Sequence, residues 1–278
     1  MAEFPRTLVG GVSLSRMIIG TNWFFGYSHT SLAKDKFITS YQTRASIVDI
    51  LTVFFEAGID TIMGPRNALF HDIIEDVQDR TGRKAQVIVT PHFNILPGGD
   101  PEMEPERVFD ECQKLGATFC MPHQAITDAL LDKMYNVIRD MDKYSKMIRQ
   151  RGMIPGLSTH LPEAVVISDK TNADVESYIQ IYNAIGFMMT IEVDWAMRII
   201  RDAKKPVMTI KPMAAGRLLP PVGLAFSWNT IRDQDMVAVG TTTPDEAREL
   251  IDLSLDFLNR RIPDNTLQKT RSKKSLEY

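Results

Sequence analysis

The sequence predicts an α/β fold, a (β/α)8 or TIM barrel. A short apolar run followed by an amphipathic stretch recurs eight times along the chain. Eight such units in about 250 residues fit the arithmetic of this barrel. In addition, no Gly-x-Gly-x-x-Gly turn follows an early strand, which counts against a doubly wound sheet.

The eight strands are expected at 17–22, 59–64, 86–91, 118–123, 153–158, 187–194, 207–211 and 236–241. Each is short and apolar on both faces, as a parallel strand covered by helices should be. The first two helices follow from stripes at i, i+3, i+4 and i+7: Ile47, Ile50, Leu51 and Phe54, then Phe70, Ile73, Ile74 and Val77. Gly58 and Gly82 mark their ends. A third helix is expected from Pro105 to Gly116. A long fourth is expected from Ile126, Leu130, Met134, Val137, Met141, Tyr144 and Ile148, ending at Gly152. The last begins Thr243-Pro244-Asp245-Glu246, a capping box with proline at the first helical position. Tyr178, Tyr182 and Ile185 read as a helix-packing stripe.

No linker or low-complexity segment divides the chain, so 1–278 reads as a single domain, with 260–278 as a basic C-terminal tail. That tail carries Arg260, Arg261, Lys269, Arg271, Lys273 and Lys274 against Asp264 and Glu277, and reads as a solvated end or a binding arm. The 278 residues hold 32 basic and 35 acidic side chains, a net charge of −3, which argues against a nucleic-acid or membrane surface. No apolar run approaches the roughly 20 residues that cross a bilayer, and the N-terminus lacks a signal-peptide pattern. Two cysteines are too few for a disulfide framework, and a cytoplasmic location fits. The partner expected is a small-molecule substrate; the sequence does not set the oligomeric state.

In such a barrel the active site lies at the C-terminal ends of the strands. The polar residues expected there are Asn22, His92, Asn94, His123, Gln124, Ser158, His160, Glu192, Asp194, Lys211, Thr241 and Thr242. Glu192 and Asp194 would share one face of the sixth strand. His29 lies in the long loop after the first strand, with Trp23 as a candidate pocket wall before it. His92, His123 and Glu192 supply nitrogen and oxygen ligands a divalent metal accepts, or the histidines are neutral and bonded to backbone. Lys211 could clamp an anion, act as an amine in Schiff-base chemistry, or pair with Glu192 or Asp194. Ser158, Gly216, Arg217, Thr241 and Thr242 could cradle a phosphate, with help from the last helix N-terminus.

Several segments resemble the aldo-keto reductases. Arg6-Thr7-Leu8 through Val12, Ser15-Arg16 and Gly20-Thr21-Asn22-Trp23 look like that family's entry. Gly156-Leu157-Ser158-Thr159-His160 is similar to its strand-5 motif. Lys211-Pro212-Met213-Ala214-Ala215-Gly216-Arg217-Leu218 and Val239-Gly240-Thr241-Thr242-Thr243-Pro244 followed by Glu249 are similar to its strand-7 and strand-8 motifs. The resemblance implies an N-terminal β-hairpin closing the barrel bottom, and an NADP site. It also implies a catalytic Asp, Tyr, Lys and His, and here the match fails. Those positions hold Met63, Ala68, Pro91 or His92, and His123. Asp60 lies three residues early; the position that stacks on nicotinamide is Ile210, and an Asn of the last motif is Leu250. Tyr27 is the local candidate for a replacement proton donor.

Three functions follow as expectations. The first is acid–base or metal-assisted chemistry on a small polar carbonyl or sugar-like substrate. In it His123 is the acid or base, Glu192 its partner and Lys211 a clamp, and Asn22, Trp23, His92, His160 and Asp194 contact the substrate. The second is an NADP-dependent oxidoreductase with an altered proton donor. The third is a non-catalytic metabolite-binding barrel.

Overall fold

The structure is a computed structural model, and it describes residues 3–67 and 69–263. Of the basic tail, 264–278 lie outside the described residues, as does Ala68.

The chain opens with a hairpin. Strands β1 (Arg6–Val9) and β2 (Val12–Ser15) pair antiparallel across Gly10 and Gly11, both at positive φ. The barrel strands follow as β3 (Met17–Gly20), β4 (Thr61–Gly64), β5 (Gln86–Val89) and β6 (Phe119–Cys120). A second small hairpin, β7 (Leu131–Asp132) with β8 (Val137–Ile138), stands apart. The barrel resumes with β9 (Ile154–Pro155), β10 (Leu157–Thr159), β11 (Tyr178–Ile181), β12 (Val207–Ile210) and β13 (Met236–Val239).

The barrel segments pair in parallel in the order β10-β11-β12-β13-β3-β4-β5-β6-β9. Only Gly156 separates β9 from β10, so these two are halves of one strand. One half pairs with β6 and the other with β11, which closes an eight-stranded barrel. A Cβ at Gly156 would lie 2.4 Å from the Met121 side chain and 3.0 Å from the Ser177 carbonyl oxygen, so the seam needs glycine there.

Residues alternate between the lumen and the helix side. Ile18, Met63, Ile88, Phe119, Met121, Ile179, Met208, Met236 and Ala238 fill the lumen, with Val9 and Leu14 of the hairpin beneath them. The expected floor is therefore present, and Arg6 fixes it through two 3.0 Å bonds to Asp60. That pair puts Asp60 at the bottom of the barrel, away from the mouth.

Among the described residues the ten helices are α1 (Leu32–Tyr41), α2 (Arg44–Glu56), α3 (Leu69–Thr81), α4 (Pro105–Lys114), α5 (Gln124–Leu130), α6 (Met141–Gln150), α7 (Glu163–Thr171), α8 (Val193–Asp202), α9 (Pro220–Thr230) and α10 (Pro244–Leu258). Their apolar stripes, such as Ile50, Leu51 and Phe54 of α2, form the outer core against the sheet. No helix described is long and apolar enough to cross a membrane.

Two expectations are corrected. The single long fourth helix is two helices, α5 and α6, with the β7–β8 hairpin between them. Asn136 and Asp140 take left-handed φ there, and the Asp132 carboxylate accepts from the Met134 and Tyr135 N–H groups. The sixth strand is Tyr178–Ile181, not 187–194. Tyr178 and Tyr182 are buried strand and strand-end residues whose hydroxyls bond Asp169 and Thr230. The 187–192 segment is a loop, tied down because the Asn183 side chain accepts from Phe187 N–H and donates to its carbonyl.

Candidate active site

Four of the five histidines and one lysine converge above the strand ends. His123 follows β6 and is the N-cap of α5, where its Nδ1 accepts from the Ala125 N–H at 3.2 Å. That bond assigns the proton of the neutral ring to Nε2. Burial is the main cause that lowers its pKa to about 4, with the fields of His92, His160 and Lys211 adding to it. Protonation at Nδ1 would also break the cap.

His92, after β5, lies against it with ring centroids 3.9 Å apart, and burial lowers its pKa too. His160 follows β10. Burial, then Lys211 and His29, bring it to about 4. Its position is set from below, where Asp128 of α5 accepts from the His160 N–H at 3.1 Å and from the Thr159 hydroxyl.

Lys211 follows β12 and is mostly buried; burial lowers its pKa to about 8. Strand alternation alone would turn it toward the helices with Thr209. Its left-handed backbone (φ 61°) redirects it. Its Nζ lies 3.2 Å from His29 Nε2. His29 also has left-handed φ (58°), and its Nδ1 is 3.0 Å from the Tyr27 carbonyl oxygen. A carbonyl only accepts, so His29 Nδ1 carries the proton and Nε2 presents its lone pair to Lys211. Burial and Lys211 both lower the His29 pKa.

Among the described residues no carboxylate pairs with His123, His160 or Lys211. Asp35 faces the Ser28 N–H and hydroxyl, and Asp128 is spent on Thr159 and His160. His71 lies apart on α3, beside Glu75 at 3.4 Å.

Glu192 and Asp194 do not join this group. With the sixth strand at Tyr178–Ile181, Glu192 becomes the exposed N-cap residue of α8, and Asp194, exposed in the first turn, accepts from the Trp195 N–H. The partner-carboxylate and ligand roles expected of Glu192 therefore have no geometric basis. No group of three or more His, Cys, Asp or Glu among the described residues is arranged to hold a metal ion, so the set His92, His123 and Glu192 is not assembled.

The expected phosphate cradle is partly filled by the chain itself. The Thr242 N–H and hydroxyl both donate to the Glu246 carboxylate, at 2.6 and 2.7 Å. Gln42 donates to the Thr242 carbonyl at 2.9 Å, and Trp23 packs over Gly240. Thr241 is buried with its hydroxyl unpartnered. Arg217 stacks on Phe187 at 4.0 Å, and Gly216 has open space around it. Ser158 is buried on the lumen side of β10. A carboxylate at the Thr242 donors repels a phosphate there, so this arrangement does not fit an NADP phosphate.

Sequence reasoning left out Asp128, and placed His29 above the first strand without giving it a role. Asp128 carries no local signal. The signal for His29 was its place in the loop above the first strand.

No family model matches the chain, and no curated protein matches it. Solved structures do. A Pseudomonas aeruginosa protein assigned to the aldo-keto reductases superposes with a TM-score of 0.65 at 14% identity, over 92% of this chain and 98% of that one. The chain has the aldo-keto reductase fold. The glycerol dehydrogenase of Gluconobacter oxydans matches at TM-score 0.57 and 15% identity, over 97% and 99% of the two chains. Phospho-2-dehydro-3-deoxyheptonate aldolase of Thermotoga maritima matches at 0.54 and 12%, over 93% and 74%. Within the aldo-keto reductase fold, His123 is the one position of the implied catalytic set that keeps its residue type. Met63 is part of the lumen packing, and Tyr27 reaches the site through its backbone carbonyl while its side chain is exposed.

Proposed function

We propose that this barrel is an enzyme acting on a small polar carbonyl compound by acid–base chemistry at its mouth. The observation that carries this is His123, a neutral imidazole with Nδ1 locked on a helix N-terminus and an Nε2–H left to donate. Such a donor stabilises negative charge developing on a carbonyl oxygen. His160 is the neutral base nearby, Lys211 engages the carbonyl, and Asn22, Trp23 and His92 line the approach.

The test is exchange of protons next to the carbonyl. The protein is incubated in D2O with a panel of aldoses, ketoses and 2-oxo acids, and deuterium incorporation is followed by NMR. We expect His123→Ala to slow the exchange by about 10²–10³-fold, the usual cost of losing one oxyanion donor. Exchange undiminished in that variant would end the assignment.

The fold favours a second reading, an oxidoreductase using NADP. Here Ser158, Gly216 and Arg217 would contact the nucleotide, and Glu246 would have to leave Thr242. Saturable quenching of NADPH fluorescence by the protein would favour this reading over the first.

A further inference from the structure

Lys211, His29 and the Tyr27 carbonyl form a line of three groups. The Tyr27 oxygen accepts from His29 Nδ1–H, and His29 Nε2 accepts a hydrogen bond from Lys211 Nζ. A nucleophile, a base within hydrogen-bond reach and a third group orienting the base make up an activated nucleophile. We propose that Lys211 is such a nucleophile, with His29 as its base, and that it forms an imine with the carbonyl substrate. The proposal rests on the carbonyl reading above.

Three features support it. No carboxylate pairs with the ammonium among the described residues, and the group it faces is the neutral His29 Nε2. Burial among neutral imidazoles lowers its pKa to about 8, which leaves a usable fraction of free amine near neutrality. Both partners sit on left-handed backbone, φ 61° and 58°, an arrangement that costs energy at non-glycine residues and recurs at functional sites.

The step balances without a further reagent. Ammonium plus carbonyl gives protonated imine plus water. The C–N bond forms as the carbonyl electron pair moves onto oxygen beside His123 Nε2–H, and the C–O bond then breaks. Of the three ammonium protons, two leave with that oxygen as water and one stays on the imine nitrogen. His29 Nε2 carries protons from nitrogen to oxygen.

The experiment is reductive trapping on the full chain. Pyruvate, dihydroxyacetone and glycolaldehyde are each added with sodium cyanoborohydride at neutral pH, and labelled lysines are mapped by peptide mass spectrometry. Lys211 should be labelled ahead of the exposed lysines by at least about tenfold with one or more probes. Labelling there should vanish in Lys211→Arg and fall by about 100-fold in His29→Ala, the scale of a lost general base. Circular dichroism checks that both variants are folded. Competitive acetylation with acetic anhydride, which needs no substrate, should show Lys211 reacting faster than exposed lysines at pH 8, and slower in His29→Ala. Lys211 reacting no faster than the exposed lysines in both assays would overturn the proposal, as would a rate indifferent to His29. If Lys211 is unlabelled while exchange still depends on His123, the imine falls and the carbonyl reading stands. If Lys211 is labelled while exchange ignores His123, the imine stands on a carbonyl substrate and the role given to His123 falls.

Discussion

At the scale of single residues, the mouth carries an unbalanced set of bases. His123 and His160 both have pKa values lowered to about 4 from an ordinary 6.5. The unfolded chain therefore takes up protons below pH 6.5 that the folded chain refuses until about pH 4. Stability that is fully present above pH 6.5 is lost as pH falls through that window. We expect the melting temperature to drop between pH 6.5 and 4, and the drop to be shallower in His160→Asn; scanning calorimetry across that range checks it. A slope unchanged by the substitution would mean His160 titrates normally. His123 and Lys211 were legible in the sequence, because strand ends could be placed from apolar runs. The base facing Lys211 was not, because it depends on two left-handed residues in loops more than 180 positions apart.

At the scale of elements, the short β-branched runs and the Thr243-Pro244 cap were readable because each is a local signal. Glu246 departs from the capping box in one respect, since its carboxylate bonds Thr242 rather than the cap residue itself. The sixth strand was misread because Tyr178 and Tyr182 have the i, i+4 spacing of a helix face as well as the burial of a strand. What decides between the two is pairing with β10 and β12, a non-local fact. The α5–α6 segment failed differently. Met134 and Val137 continue an apolar stripe, yet they are exposed in the intervening hairpin.

The turn after β12 makes its own test at this scale. Lys211, Ala214 and Ala215 all have positive φ, between 50° and 61°. A left-handed alanine costs roughly 1–2 kcal/mol, and glycine relieves most of it at some cost in unfolded-chain entropy. Ala215→Gly should therefore raise stability by about 0.5–1 kcal/mol in urea unfolding. A loss of stability would show that Ala215 packing outweighs its backbone strain.

At the scale of the whole molecule, the barrel is closed at the Gly156 seam and floored by the hairpin. Its lumen is lined by Met63, Met121, Met208 and Met236, all buried. Met134, on the outer hairpin, is 84% exposed. Thioether sulfur is oxidised by peroxide only where peroxide can reach it. The chain thus carries a built-in chemical reporter of its own unfolding. Met134 should oxidise at once, and the four lumen methionines together, at a rate set by opening of the whole barrel. Peptide mass spectrometry after timed peroxide exposure reads both populations in one sample. If the lumen methionines oxidised at different rates, the barrel would open piecewise. A single rate would report a fold that comes apart only as one unit, with the mouth chemistry intact until it does.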